Sequence, residues 1–573
     1  MLNDNYMLID KIPVPIEGEK NILELVRKAG IDMPTFCYYS ELSVYGACRM
    51  CMVEDERGNM HAACSTPPKA GMSVVTNSAR LRKYRKNILE LLLANHCRDC
   101  TTCEKSESCR LKELARRFYI EDVRFPNGKT QPQKDESSVS ISIDHSKCIL
   151  CGDCVRMCNE VQNVGAIGFS GRGSKMEVST AFKVPINETN CVGCGQCSAV
   201  CPTGAIIIQK NVDRTWAAIY DPDVYVVAQV APAVRAGVAK ALGEENGFVA
   251  AGKIFAAMRR MGFNQVYDTT TGADMTVVEE GNEFIERLSK GGKLPLFTSC
   301  CPAWIRYAEN KHPELLENIS TCRSPMQMFG SAIKEYFADD GSVKGKKIFS
   351  VAVMPCTAKK YEAVREEFKR PDGSDTIDAV ITTQELIQMI REAGIHFDEI
   401  APEAPSMAFG GTSGAGVIFG VTGGVTEAVL RYADTDKTYS GLRQIALSGV
   451  RGMEGVKEAS YQVGDAQLKI AIVSGLGNAE KLIRKIQSGE AEYHLVEVMA
   501  CPNGCIAGAG QPFAHREEKE QRAENLYKTD NLTQIKRSEA NPILGEIYAR
   551  CIGDRAHELL HVHYHPKNNC GSV

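Results

Sequence analysis

Several features that mark large protein classes are missing from this chain. No stretch of about 18 uncharged apolar residues occurs, so no membrane span is expected. The opening residues, MLNDNYMLIDKIPVPIEGEK, carry no basic start followed by an apolar run, so no secretory signal is expected. Neither sign of charge dominates: 67 Lys and Arg stand against 71 Asp and Glu, a net −4, mixed along most of the chain. That excludes the basic footprint of a nucleic-acid binder. Glycine-rich FGGTSGAGVIFGVTGGV (409–425) lacks the GK[ST] ending of a phosphate loop and fits no dinucleotide fingerprint cleanly. Close backbone approach to a buried cofactor is the better reading. What remains is 573 residues, 44% hydrophobic and 24% charged, which suits several globular domains.

Cysteine is what the chain has in excess, 24 in all, mostly in tight clusters. Disulfides concentrate in small secreted domains, and this chain is neither small nor visibly secreted. The cysteines are therefore read as reduced thiolates holding metal in the cytoplasm. The first cluster is Cys37-x10-Cys48-x2-Cys51-x12-Cys64. Three cysteines within one loop and a distant fourth suit a 2Fe-2S centre of the plant-ferredoxin kind, although the first gap is wider than in plants. Structural zinc is the alternative. The second is His96-x3-Cys100-x2-Cys103-x5-Cys109, which suits either zinc or a 4Fe-4S cluster. Its place between two electron-transfer modules favours iron-sulfur. Cys97 breaks the spacing and is read as a spare thiol.

The third cluster is a repeated run, Cys148, Cys151, Cys154, Cys158 and then Cys191, Cys194, Cys197, Cys201. Such a pair specifies a two-cluster ferredoxin module, in which the fourth cysteine of each run ligates the other cluster. One cluster should take Cys148, Cys151, Cys154 and Cys201; the other Cys191, Cys194, Cys197 and Cys158. Both runs are placed in short loops. The fourth group is dispersed: TSCCPAW holds Cys300 and Cys301, MPCTAKKYEA holds Cys356, and MACPNGCIAGAGQP holds Cys501 and Cys505. Each lies after an apolar strand. An isolated buried cysteine is commonly a small hydrophobe, but three strand-end loops bearing CC, C and CxxxC point to one buried cluster.

Cysteine density and texture divide the chain. Residues 1–78 form a 2Fe-2S ferredoxin-like domain with strands such as Tyr6–Ile9 and Met50–Glu54. Residues 79–125 form a 4Fe-4S domain with one histidine and three cysteines as ligands, opening on an amphipathic helix at 80–95. FPNGKTQPQKDESS (125–138) reads as a linker, and 139–210 as the two-cluster domain. From 222 to 573 apolar strands (224–230, 348–354, 469–476) alternate with helical stretches such as 375–393, which is α/β in character. The expected fold is thus multidomain, α/β and α+β.

The three cysteine loops resemble the motifs of iron-iron hydrogenases, and the first 210 residues resemble the accessory domains of their long forms. Residues 1 to about 120 are also similar to the large iron-sulfur subunit of respiratory complex I. The resemblance implies a β-grasp-like N-terminal ferredoxin and a large α/β catalytic domain. It implies an H-cluster: a 4Fe-4S cubane on Cys301, Cys356, Cys501 and Cys505, bridged by Cys505 to a diiron subsite bearing CO, cyanide and an azadithiolate. One 2Fe-2S and three accessory 4Fe-4S clusters would complete the set. Cys300 would pass protons, with Glu280, Ser320, Glu283 and Arg287 leading to the surface. Lys359 would hydrogen-bond a cyanide, and Met354 and Met499 would pack on the subsite. The activity implied is reversible H2 oxidation and proton reduction, with ferredoxin or flavodoxin as electron partner and dedicated maturation proteins.

Physical logic runs the same way. Splitting H2 heterolytically needs a metal and a nearby base. Cys300 sits beside a ligand without itself being one. Glu280 and Glu283 lie at i and i+3 of a helix face, where the plain alternative is a solvated acidic helix. The chain departs from the family in ACPNGC, in AGAGQP, in Ala233 and Met326 where serine and glutamine are common, and in Thr426 where methionine is. These remove hydrogen-bond donors around the subsite and suggest a shifted bias between H2 evolution and uptake. The alternatives are a hydrogenase subunit of an NAD(P)-linked or electron-bifurcating complex with flavoprotein subunits, a hydrogen sensor, and an assembly protein lacking the diiron subsite. Retention of Cys300, Cys505 and Lys359 argues against the last. Cys322, Cys551, Cys570 and the histidines of HELLHVHYHP (557, 561, 563, 565) are left without a role; the tail is read as a helix end followed by a surface strand, with metal binding as the alternative.

Overall fold

The computed structural model describes residues 5–127, 134–244, 246–338, 340–343, 345–464 and 466–566. Cys570 and the middle of the expected linker lie outside them. The chain separates into two compact units, Met1–Val161 with Gly165–Thr189 and Gln196–Ile207, and Gln162–Val164 with Asn190–Gly195 and Ile208–Val573.

In the smaller unit β1 (Tyr6–Ile9), β2 (Ile12–Pro15), β3 (Met52–Asp55), β4 (Met60–Ala62) and β5 (Ser73–Val75) form one sheet in the order β2-β1-β5-β3-β4. Alternation in β1 buries Met7 and Ile9 against helix Ile22–Lys28 residues Leu23 and Val26. Helix Ala79–Ala94 starts where Ser78 accepts from Leu81 N–H. Its buried Arg85 donates to the carbonyls of Met50 (3.1 Å) and Met52 (2.7 Å), which pins the Cys51 loop to the helix. Further along, β6 (Lys134–Asp135), β7 (Ile141–Asp144) and β10 (Ile206–Ile208) form a second sheet, and β8 (Gly168–Ser170) and β9 (Glu177–Ser179) a hairpin.

The larger unit is mixed α/β, built on two sheets. In the first, β11 (Val224–Val230), β12 (Gln265–Asp268), β14 (Lys347–Met354) and β15 (Ala379–Thr382) run parallel in the order β12-β11-β14-β15. In the second, β13 (Leu296–Phe297), β18 (Leu495–Met499) and β17 (Ala466–Ser474) are parallel, with β16 (Val456–Val463) antiparallel at the edge. Val226, Val227, Ala228 and Val230 are all buried, as expected of a central parallel strand covered on both faces. No helix among the described residues is long and apolar enough to cross a membrane.

Three expectations need correction. The helix expected over 375–393 is a strand and then a helix: Ala379–Thr382, with β-branched Val380, Ile381 and Thr382, pairs with β14, and helix Thr383–Glu392 starts at a capping box of Thr382 and Glu385. The cysteine runs do not lie wholly in loops. Cys154 and Cys158 sit in the successive helical turns Asp153–Arg156 and Met157–Val161, and Cys197 in Gln196–Ala199. After helix Ala556–Leu560 the described part of the tail forms no strand, only a single bridge from His561 to Cys322.

Candidate active site

The parallel strands of the larger unit end in the loops that carry the dispersed cysteines. β13 leads to Cys300 and Cys301, β14 to Cys356, and β18 to Cys501 and Cys505. Carboxyl ends of parallel strands are where such sheets place ligands, because the chain must leave the sheet there as loops. All five cysteines line one cavity of about 90 Å³, with Met354, Met499 and Lys359 beside them. Ala233 and Met326 line it too, whereas Thr426 does not: its hydroxyl donates to buried Glu497 at 2.9 Å.

The donor set fits an iron-sulfur cubane. Burial pushes the Cys501 thiol well up, and the neighbouring Cys356, Cys301, Cys194 and Cys505 add to the rise; burial raises Cys356 to about 11. Thiols gathered this closely in a dry site ionise together only when a cation compensates them. Ala500 N–H donates to Cys301 Sγ at 3.4 Å, the contact a thiolate ligand accepts. Cys301 also caps helix Pro302–Lys311, whose dipole favours a thiolate. The turn joining Cys501 to Cys505 needs its glycines. Gly504 has φ +78°, and a Cβ on Gly508 would stand 2.1 Å from the Pro355 carbonyl oxygen of the Cys356 loop.

Lys359 is buried and ion-paired to Glu362 at 2.7 Å; burial opposes its charge, but the carboxylate prevails and holds its pKa up. The spacing Lys-x-x-Glu within MPCTAKKYEA was the available signal for this partner. Thr357, also overlooked in the sequence, donates to the Gly193 carbonyl at 2.7 Å, which sets the Cys191–Cys194 segment against the Cys356 loop.

Cys300 opens a line of polar groups. Glu280, on helix Thr270–Lys290, is fully buried; its Oε1 accepts from Ser299 N–H at 3.3 Å, and its Oε2 has no hydrogen-bond partner among the described residues. Burial pushes its carboxyl up to about 8, Glu283 adds to the rise, and the Ser320 hydroxyl opposes it. Ser320 donates to Glu283 Oε2 at 3.0 Å, and Arg287 holds Glu283 Oε1 at 2.5 Å. The solvated acidic helix that was the plain alternative is therefore not what is seen.

In the smaller unit, Cys48 N–H donates to Cys37 Sγ at 3.3 Å. The paired thiols Cys37 with Cys48, and Cys51 with Cys64, hold each other's ionisation apart. Cys148, Cys151, Cys154 and Cys201 line one small cavity, which is the grouping expected from the run. Of the other expected set, Cys158 and Cys197 belong to the smaller unit and Cys191 and Cys194 to the larger. His96 Nδ1 accepts from Arg98 N–H at 3.1 Å; Cys100 and Cys103 both act on the Cys109 thiol, which burial raises.

Comparison with known proteins gives one pattern along the whole chain. Residues 224–509 match the description "Iron only hydrogenase large subunit, C-terminal domain", and 516–567 "Iron hydrogenase small subunit". Residues 7–79 match a 2Fe-2S cluster binding domain, 85–124 an NADH-ubiquinone oxidoreductase-G iron-sulfur region, and 147–205 a 4Fe-4S dicluster domain. The NADP-reducing hydrogenase subunit HndD of Solidesulfovibrio fructosivorans is 42% identical, over 97% of this chain and 98% of its own. Iron hydrogenase 1 of Clostridium pasteurianum is 36% identical, over 97% and 99%. A solved structure of a variant of [FeFe]-hydrogenase HydA1 from Chlamydomonas reinhardtii superposes with a TM-score of 0.54 at 36% identity, covering 62% of this chain and 99% of that one.

Proposed function

The chain belongs to the iron-only hydrogenase family and acts on H2, oxidising it or forming it from protons; on that footing we propose which of its residues do what. The observation that carries the proposal is the convergence of Cys301, Cys356, Cys501 and Cys505 on one cavity, with Cys300 free beside them and Glu280 behind it. These four cysteines would hold the cubane of the H-cluster, and Cys505 would also serve its diiron part. When bound, that cluster supplies the metal site for H2 and the entry for electrons.

The chain's own groups manage the protons. Cys300 exchanges a proton between the cavity and Glu280. Glu280 stays neutral at pH 7, so it can give a proton as well as take one. Ser320 relays to Glu283, and Arg287 holds that carboxylate in place near the surface. Lys359, kept charged by Glu362, presents an ammonium to the anionic ligands of the subsite. Met354 and Met499 keep water off it.

When bound, the accessory clusters would supply a one-electron relay; Cys37, Cys48, Cys51 and Cys64, in a β-grasp-like sheet, would hold its 2Fe-2S centre. His96 with Cys100, Cys103 and Cys109, Cys148 with Cys151, Cys154 and Cys201, and Cys191 with Cys194, Cys197 and Cys158 would each hold a 4Fe-4S cluster of that relay. The Thr357–Gly193 hydrogen bond supports the last step, because it fixes the Cys194 segment on the loop that carries Cys356. The external partner is ferredoxin or flavodoxin. A second reading is favoured by the similarity to an NADP-reducing hydrogenase subunit: the chain is the H2-handling subunit of an NADP-linked complex whose flavoprotein lies on another chain.

Infrared spectroscopy of anaerobically matured protein tests the cluster assignment. Bands of metal-bound CO and cyanide that shift under H2 are expected. Their absence from a preparation of confirmed maturation overturns the proposal.

A further inference from the structure

The histidines of the C-terminal tail were left without a role by the sequence, and the fold brings one of them to a cluster outside the cavity. Residues 321–323 run antiparallel to 560–562. Val562 N–H donates to Thr321 O and Arg323 N–H to Leu560 O, both at 2.7 Å, and Cys322 bridges His561. Residues paired across an antiparallel bridge present their side chains on one side. On that side lies Glu283, with Cys322 Sγ 3.9 Å from its Oε2. One ligand atom each of Glu283, Cys322 and His561 fall within 4.8 Å of one another.

We propose that Glu283, Cys322 and His561 form a binding site for a thiophilic divalent cation, such as Zn2+, and that its occupation stops proton traffic through Glu283. A thiolate, an imidazole and a carboxylate make a donor set that Zn2+ binds in preference to Mg2+ or Ca2+, and three protein donors leave its fourth position to water. The donors are already drawn together. Thr321 Oγ1 stands 3.1 Å from Glu283 Oε2 and 2.9 Å from His561 Nδ1, a link that the entering cation displaces. Arg287 holds the other carboxylate oxygen, Oε1, so the cation would meet Oε2, where it competes with the Ser320 and Thr321 hydroxyls while the Thr321 N–H, 3.0 Å away, keeps the carboxylate in place. On binding, Cys322 gives its thiol proton to water.

Access comes through the histidine tract. The ring of His557 lies 5.7 Å from His561 and 6.0 Å from His563, and both flanking histidines are exposed. They form a graded entry from solvent to a site whose thiol is buried. The blocking half of the proposal rests on the proton route given above. A cation on Glu283 Oε2 takes the lone pair that accepts the Ser320 hydroxyl.

The test uses the matured holoenzyme, buffered free Zn2+ and the variants His561→Asn and Cys322→Ser, each compared with its own zinc-free rate of H2 evolution. His561 is partly exposed, so its variant remains informative if Cys322→Ser folds poorly. Zinc is expected to inhibit the unaltered chain, and each variant should need about tenfold more zinc or higher, since losing a ligand costs at least as much as losing an outer partner. X-ray absorption at the zinc edge should show one sulfur at about 2.3 Å with nitrogen and oxygen neighbours. Equal zinc content and equal sensitivity in His561→Asn, or zinc held by nitrogen and oxygen alone, overturns the site. Sulfur-bound zinc that both variants lose, with H2 evolution unslowed, upholds the site and overturns the Glu283 route.

Discussion

Replacing Glu280 by glutamine keeps its shape and removes its proton exchange. H2 evolution with a reduced dye should fall by about 10²–10⁴-fold, the range of a lost acid–base step. The pH sign follows from the raised carboxyl. Glu280 is protonated below about 8 and ionises as pH rises through that value, whereas a surface glutamate loses its proton in the same sense but is already ionised by about pH 6. Difference infrared spectra at neutral pH should therefore show a protonated carboxylic acid that fades towards alkaline pH and is missing from Glu280→Gln. Ala233 and Met326 raise a different residue-scale question. Both line the cavity and neither donates a side-chain hydrogen bond there. Protein-film voltammetry of the Ala233→Ser, Met326→Gln double variant should give a changed ratio of evolution to uptake current; an unchanged ratio rules out their control of bias. Thr426 drops out of that argument, because it serves Glu497 instead.

At the scale of elements, strand-end loops bring the cavity together, and glycine lets them approach. Gly508→Ala would drive a methyl into the Pro355 carbonyl and push the Cys505 turn off the Cys356 loop. Overpacking of this kind costs about 1–3 kcal/mol, and here the strain falls on two ligand-bearing loops. A lower melting temperature and less iron per chain are expected, measured by calorimetry and iron assay. Gly545→Ala, in helix Pro542–Ile547 where nothing stands within 4 Å of the new Cβ, is the control and should lower neither. The same close approach explains the stretch at 409–425. Gly420 lines the cavity, but Gly416 lies against the Thr270 carbonyl of the neighbouring helix, so part of the glycine content serves helix packing.

At the scale of the whole molecule, the chain has iron-sulfur domains and a cavity lined by five cysteines, and its sequence carries no clean dinucleotide fingerprint. If it works within an NADP-linked complex, the isolated chain should evolve H2 from reduced ferredoxin or dye yet reduce no NADP+ under H2. The complex purified by a tag on this chain should do both and carry a flavoprotein. H2-dependent NADP+ reduction by the isolated chain would refute that division of labour.

The grouping of the cysteines is legible in the chain before any fold is known. Spacing within a run, such as Cys148 to Cys158, is local, and so is the order of strand and loop around Cys300, Cys356 and Cys501. The limits of β11 are legible too, because a seven-residue stretch rich in valine, interrupted only by Gln229 and followed by Pro232, suits a strand. Helix Thr383–Glu392 was blurred with β15 because the strand is short and runs straight into its cap, so no turn residue marks the change. Which distant groups meet is a matter for the folded molecule alone. Thr357 finds Gly193, Thr426 finds Glu497, and His561 comes to Cys322 and Glu283 from more than two hundred residues away. Pairings of that range depend on how the sheets and helices pack, and packing leaves no periodic trace in the chain.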